Sequence, residues 1–305
     1  MTRRQSKNIA ASVRQRLLDK AREKGRPFSE LLQYFAMERF LYRLSKSHYA
    51  DKFVLKGALM LTVWKAPLSR PTMDIDLLGR IDNSIEIIVE ITKEICRQEV
   101  EPDGIAFDVA SIKGERIAED ADYEGIRVRF RGFLDTAQIV MQLDIGFGDI
   151  VIPSPEFTNY PTLLDLPAPR LRAYSRESTI AEKFEAMVKL GILNSRMKDF
   201  FDIWLMSRQF DFDGSILSAA ITKTFSTRGT KIQAEPIVLT RTFAEDTAKA
   251  AQWRGFVRKN RLGDVPQNLA EVLTAIADFL TPISECLAAG HLFKATWKAP
   301  GPWRK

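Results

Sequence analysis

Cysteine and histidine are scarce. The 305-residue chain has only Cys96 and Cys286, and only His48 and His291. The cysteines form no C-x-x-C pair, so neither a zinc ribbon nor a disulfide framework has material here, and two distant histidines do not make a His-based triad. The expected compartment is a reducing, cytoplasmic one. No apolar run approaches the length of a membrane span, so no membrane partner is expected. Residues 1–25 are basic but lack the apolar core of a signal peptide. No internal repeat or low-complexity tract stands out.

What is present is ordinary in bulk: 45% hydrophobic and 28% charged residues, long enough for one large or two modest domains. The net charge of +6 and pI near 9.2 suit a polyanionic partner, but only weakly, because clustering decides more than the total.

The chain is organised around residues 53–78, FVLKGALMLTVWKAPLSRPTMDIDLL. If residues 73–78 form a strand, Asp74 and Asp76 share one face while Ile75 and Leu77 take the other. Two carboxylates one strand repeat apart repel unless a cation sits between them, and hard oxygen ligands suit Mg²⁺. Gly57 stands upstream, where a residue without a Cβ lets the backbone pass close to a phosphate. A lone D-x-D is more often a solvated strand edge or turn. Gly57 upstream, Arg70 and Thr72 just before it and a second block at residues 177–204 together raise it above that.

Around this stretch, residues 9–44 read as two helices broken at Gly25-Arg26-Pro27, and residues 84–100 as a helix with Ile87, Ile88, Ile91 and Ile95 inward. Strands are expected at 105–112, 126–133 and 137–147. On the last, Asp144 lies among apolar neighbours, which is costly without a partner, so it is the expected third carboxylate of a metal site. An acidic strand end exposed at a sheet edge is the alternative. Five prolines within 153–169 read as an extended linker to a helical second half.

Beyond the linker, Ser178 is a plausible N-cap for a helix over 179–190, with Ile180, Phe184, Met187 and Val188 on its apolar stripe. Lys183 sits mid-helix beside Glu182 and Glu185, where local ion pairs on a solvated face would suffice. In residues 194–204, NSRMKDFFDIW, Asp199 and Asp202 lie at i, i+3 on one helical face, and Lys198 with Asp202 at i, i+4 offers a plain ion pair. Residues 237–287 read as two or three helices. Within them Arg254, Arg258 and Arg261 are interleaved with Trp253 and Phe256. That pattern suits phosphates and stacked bases, and equally suits a solvated basic face over an apolar stripe. Residues 291–305 are too short to fold alone and either dock or move freely.

K-G-x-x-L followed by R-P-T-x-D-I-D-L resembles the nucleotidyltransferase superfamily signature, and in particular the AbiEii/AbiGii toxin family, the toxin halves of bacterial toxin–antitoxin pairs. The resemblance runs from about residue 9 to 204. It includes the helix around Lys183, like the family's A-E-K-x-x-A, and R-x-K-D-x-x-D over 196–202. Where many superfamily members have Gly-Ser, this chain has Gly57-Ala58.

The resemblance implies an α/β (α+β) fold, a nucleotidyltransferase-like mixed sheet with flanking helices plus a helical C-terminal domain. It divides the chain into a helix pair at 1–48, the sheet domain at 49–152, a helical domain completing the active site at 170–290, and a tail at 291–305. The implied reaction is transfer of NMP from an NTP, with Mg²⁺ as cofactor, to an RNA acceptor such as a tRNA 3′ end; a cognate antitoxin is the other implied partner. Asp74, Asp76 and Asp144 would hold metal. Lys56, Gly57, Ala58, Arg70, Thr72 and Lys183 would hold the nucleotide, with Arg70 and Thr72 bracing the acidic strand. Lys183, Asp199 and Asp202 would join the catalytic set, and Arg196, Lys198, Arg254, Arg258 and Arg261 would meet RNA. A small hydroxyl acceptor, or a nucleotide- or RNA-binding role without catalysis, stays open as an alternative.

Overall fold

The computed structural model describes residues 3–66, 70–120 and 123–305. They fall into two compact units. One comprises residues 1–65, 71–148 and 156–173, the other 66–70, 149–155 and 174–305. Residues 1–2 of the expected N-terminal helix pair lie outside the described residues.

In the first unit, α1 (Arg3–Lys24) and α2 (Phe28–Lys46) are followed by β1 (Phe53–Lys56), α3 (Leu59–Val63), β2 (Ile75–Gly79), α4 (Ile85–Arg97), β3 (Ile105–Asp120), β4 (Tyr123–Leu134), β5 (Ala137–Phe147), β6 (Glu156–Asn159) and β7 (Arg170–Ala173). The strands form one mixed sheet in the order β3-β4-β5-β2-β1-β7-β6. β2 runs parallel to β5 and β1 to β7, and the other pairs are antiparallel. The fold is therefore α/β with a mixed sheet and flanking helices. The apolar stripe of α2 is buried throughout; Phe40 packs 5.5 Å from Phe130 and 6.0 Å from Phe107. Its polar residue Gln33, also buried, donates to the backbone carbonyls of Met73 and Val140, at 3.2 and 3.0 Å. One amide thus ties the approach to β2 to the neighbouring β5.

Several sequence expectations need correction here. β3 extends to Asp120 and β4 starts at Tyr123, because the backbone of the polar run after Ile112 pairs across the two strands regardless of side-chain polarity. On α4, Ile88, Ile91 and Ile95 are buried, but Ile87 is 41% exposed. Residues 153–169 are not simply a linker. They contain β6, an edge strand paired with β7, whose largely exposed side chains carry no period-two signal.

The second unit holds α5 (Arg176–Leu190), a 3₁₀ turn (Gly191–Leu193), α6 (Met197–Gln209), β8 (Phe212–Asp213), α7 (Gly214–Thr227), a second 3₁₀ turn (Ile237–Leu239), α8 (Arg241–Ala244), α9 (Thr247–Asn260), α10 (Leu269–Ala288), β9 (Thr296–Trp297) and β10 (Trp303–Arg304). The N-cap of α5 is Ser175, which accepts from the Ser178 N–H; Ser178 lies inside the helix and its hydroxyl donates to the Ile152 carbonyl. The tail docks. Trp297 is buried and donates to the Ser207 carbonyl, and Trp303 stacks on Phe279 at 5.6 Å.

Candidate active site

The register of the first unit's sheet decides which charged residues meet. Lys56 on β1 lies opposite Asp76 on β2, Asp76 opposite Asp144 on β5, and Asp144 opposite Arg127 on β4. In-register partners project from the same face, so the four side chains form a row across four adjacent strands. Asp74 sits one strand repeat before Asp76. Oxygens of Asp74, Asp76 and Asp144 all lie within 4.8 Å of one another.

Each acid is held differently. Asp74 accepts from the Thr72 hydroxyl, and the Thr72 N–H donates to the Tyr34 hydroxyl at 3.1 Å. Asp76 lies against the turn after β1. Gly57 has φ +70°, and a Cβ there would stand 1.8 Å from Asp76 Oδ2, so both the backbone conformation and the space require glycine. Asp144 is 8% exposed; Arg127 closes on it with Nε–Oδ1 at 2.8 Å and Nη2–Oδ2 at 2.7 Å, and Gln142 donates at 3.3 Å. It is thus an interior strand position, not an edge acid. The pairing raises the pKa of Arg127, chiefly through the hydrogen bond to Asp144. Arg127 was missed from the sequence, although a count back from the two-residue turn Asp135-Thr136 pairs it with Asp144. Ala58 is buried and leads into α3, with its methyl group where the resemblance would place a hydroxyl.

Three hard carboxylate oxygens converging on one point, beside a backbone that leaves no room for a Cβ, fit a divalent cation of the Mg²⁺ type.

The second unit gathers a different cluster. On α5 the Lys183 ammonium lies 2.9 Å from Asp199 Oδ1 and 2.7 Å from Asp202 Oδ2, both on α6. Arg70 places Nε and Nη2 on the two oxygens of Asp202, each at 3.0 Å, and Arg196 Nε is 2.8 Å from Asp199. Arg70, expected to brace the acidic strand, thus puts its fork on α6. Burial alone would push both acids up and the lysine down. The ion pairs outweigh it: Asp199 is held below the usual carboxylate range, Asp202 falls to about 2, and Lys183 is raised. The alternative, a plain Lys198–Asp202 pair, gives way to this network, and Lys198 is exposed. Phe200, Phe201, Ile203 and Trp204 anchor α6 in the core.

On α9, Arg254, Arg258 and Arg261 are exposed and line one groove, and among the described residues none of the three side chains has an ion-pair or hydrogen-bond partner. The interleaved aromatics are not stacking platforms. Trp253 is fully buried with its N–H on the Pro266 carbonyl, and Phe256 packs against Phe201 at 5.8 Å.

The family model for the nucleotidyl transferase AbiEii toxin of type IV toxin–antitoxin systems matches residues 39–275. The chain belongs to this AbiEii family. It is therefore a nucleotidyltransferase of a toxin–antitoxin family, and membership implies an antitoxin partner. The match spans every candidate site residue described above. No curated protein matches the AbiEii chain. Two solved structures from Helicobacter pylori do. JHP933 shares 15% identity over 86% of this chain and 95% of its own, with a TM-score of 0.46. The other, described as a candidate nucleotidyltransferase, shares 14% over 85% and 97%, also at 0.46. Neither bears on the chemistry of this site. No described helix is long and apolar enough to cross a membrane.

Proposed function

We propose that this AbiEii-family enzyme transfers a nucleoside monophosphate from an NTP to a hydroxyl of an RNA, in the cytoplasm, with Mg²⁺ as its cofactor. The observation that carries the reading is the convergence of Asp74, Asp76 and Asp144. The acceptor oxygen forms a bond to the α-phosphorus, the bond from that phosphorus to the bridging oxygen breaks, pyrophosphate leaves, and the hydroxyl proton is lost to solvent. A bound Mg²⁺ would supply charge neutralisation at the phosphates and a lowered pKa for the attacking hydroxyl.

The chain's own residues do the positioning. Asp74 and Asp76 would hold the ion, with Thr72 fixing the Asp74 rotamer. Gly57 and Lys56 would lie along the triphosphate, and Ala58 contributes no hydroxyl to it. Lys183 and Arg196 belong to a cluster of three cations and two carboxylates, with Arg70 as the third cation; the one positive charge in excess suits an anionic phosphate. Asp199 and Asp202 would orient Lys183. The exposed Arg254, Arg258 and Arg261, with Lys198, would follow an RNA backbone by charge, since Trp253 is committed to the core and Phe256 is half-buried against Phe201. A tRNA 3′ end is one acceptor of that chemistry. A small cationic acceptor does not suit such a surface.

The test uses purified wild type and Asp76→Ala, Mg²⁺, each labelled NTP in turn, and total bacterial RNA. Label in one RNA size class with wild type alone is the expected result. No label with any nucleotide, from folded wild-type protein, overturns the reading.

A further inference from the structure

Asp144 is closed by a fork. Arg127 donates to both of its oxygens, at 2.8 and 2.7 Å, and Gln142 adds a third hydrogen bond at 3.3 Å. An ionised carboxylate has about four lone-pair positions. The bidentate guanidinium takes one on each oxygen, and those are the directions shared by the best ion-pair geometry. A cation approaching Asp144 must therefore use what is left or displace one arm of the fork. Charge points the same way. In the row Lys56, Asp76, Asp144 and Arg127, with Asp74 beside it, three carboxylates face two cations, leaving one net negative charge for a divalent ion.

We propose that Arg127 is a positioning residue that withholds Asp144 from metal until the nucleotide is bound. In the free enzyme the divalent ion would rest on Asp74 and Asp76 with low affinity. The several negative charges of an NTP then make up the deficit, and one arm of the fork gives way, so that Asp144 joins the site only when substrate is present. The consequence is coupled loading: the ion is held tightly only with nucleotide, and the empty enzyme keeps its third acid on the Arg127 fork. The inference rests on the metal-dependent reading given above.

The probe is Mn²⁺, with free ion followed by electron paramagnetic resonance, for wild type, Arg127→Gln and Arg127→Gln/Asp144→Asn. Each is measured alone and with an equimolar mixture of the four α,β-methylene nucleoside triphosphates. Wild type is expected to bind weakly alone and more tightly with the analogues. Arg127→Gln is expected to gain on the order of tenfold in affinity without nucleotide, and the added Asp144→Asn to remove that gain. Equal or weaker Mn²⁺ binding by Arg127→Gln overturns the proposal, because the arginine would then orient Asp144 for metal rather than hold it back. Arg127→Lys, which keeps the charge but loses the fork, covers the case in which circular dichroism shows Arg127→Gln unfolded; it should show a smaller gain, and no gain overturns the proposal. Absence of Mn²⁺ binding in every protein, with and without analogues, sinks the metal-dependent reading itself and this inference with it, which is a different result from equal binding.

Discussion

Asp76 and Asp144 are direct register partners on the parallel β2–β5 pair, and their carboxylates share one face with Lys56 and Arg127 on the flanking strands. Two like charges side by side in a sheet are unfavourable. Here a cation at each end of the row offsets the repulsion, and Arg127 holds Asp144 with its fork.

Gly57→Ala tests how tightly the turn after β1 is fitted to that row. The new Cβ would overlap Asp76 Oδ2, at a φ that L side chains rarely adopt. We expect nucleotidyl transfer to fall on the order of 100-fold, as for a displacement of about 1 Å at a reacting centre, with unchanged far-ultraviolet circular dichroism. Transfer within twofold of wild type would show that the turn relaxes without moving Asp76.

The Lys183 cluster should set the acid limb of stability. Asp202 has an ordinary value of 3.8 and is held at about 2 in the fold. The unfolded chain therefore binds that proton more readily. The stabilisation, about 2 kcal/mol for such a shift, is complete above about pH 4 and is lost as the pH falls toward 2. Asp199 is lowered as well and acts in the same direction. Urea unfolding across pH 2–6 should show this slope, and Asp202→Asn should flatten it.

Removing the ammonium leaves two carboxylates in one buried place. Lys183→Met is expected to cost about 3–5 kcal/mol in chemical denaturation, the usual result of stranding a buried charge. Lys183→Met/Asp199→Asn should recover part of that loss. If the double variant is no more stable than the single one, the cluster is not held by these ion pairs.

The α9 surface makes a prediction about salt. Replacing Arg254, Arg258 and Arg261 with alanine should weaken RNA binding at low salt. It should also reduce the slope of log K against log salt by roughly 0.7 for each phosphate that these side chains neutralise. Binding of NTP should not change. An unaltered slope would remove α9 from the acceptor path.

The sequence alone determined the local pieces, because local signals carry them. The period-two placement of Asp74 and Asp76, the glycine before them, the apolar stripes of α2 and α5, and the i, i+3 relation of Asp199 and Asp202 all follow from backbone periodicity, which needs no partner. The edge strand β6 was not legible, since its exposed side chains have no face to bury.

What the tertiary structure decided is which charges neutralise which. Asp144 meets Asp76 only because β5 returns beside β2 in parallel, and Lys56 only because β1 closes the other side of β2. Arg70 reaches Asp202 across 132 residues of chain. On α9, packing committed Trp253 to the core and half-buried Phe256 while leaving their arginine neighbours exposed, a choice that a helix with either face inward would present equally in sequence. The physical reason is common to all of these. Periodicity says which side chains share a face, whereas the charge that opposes an acid depends on which distant segment the fold sets beside it.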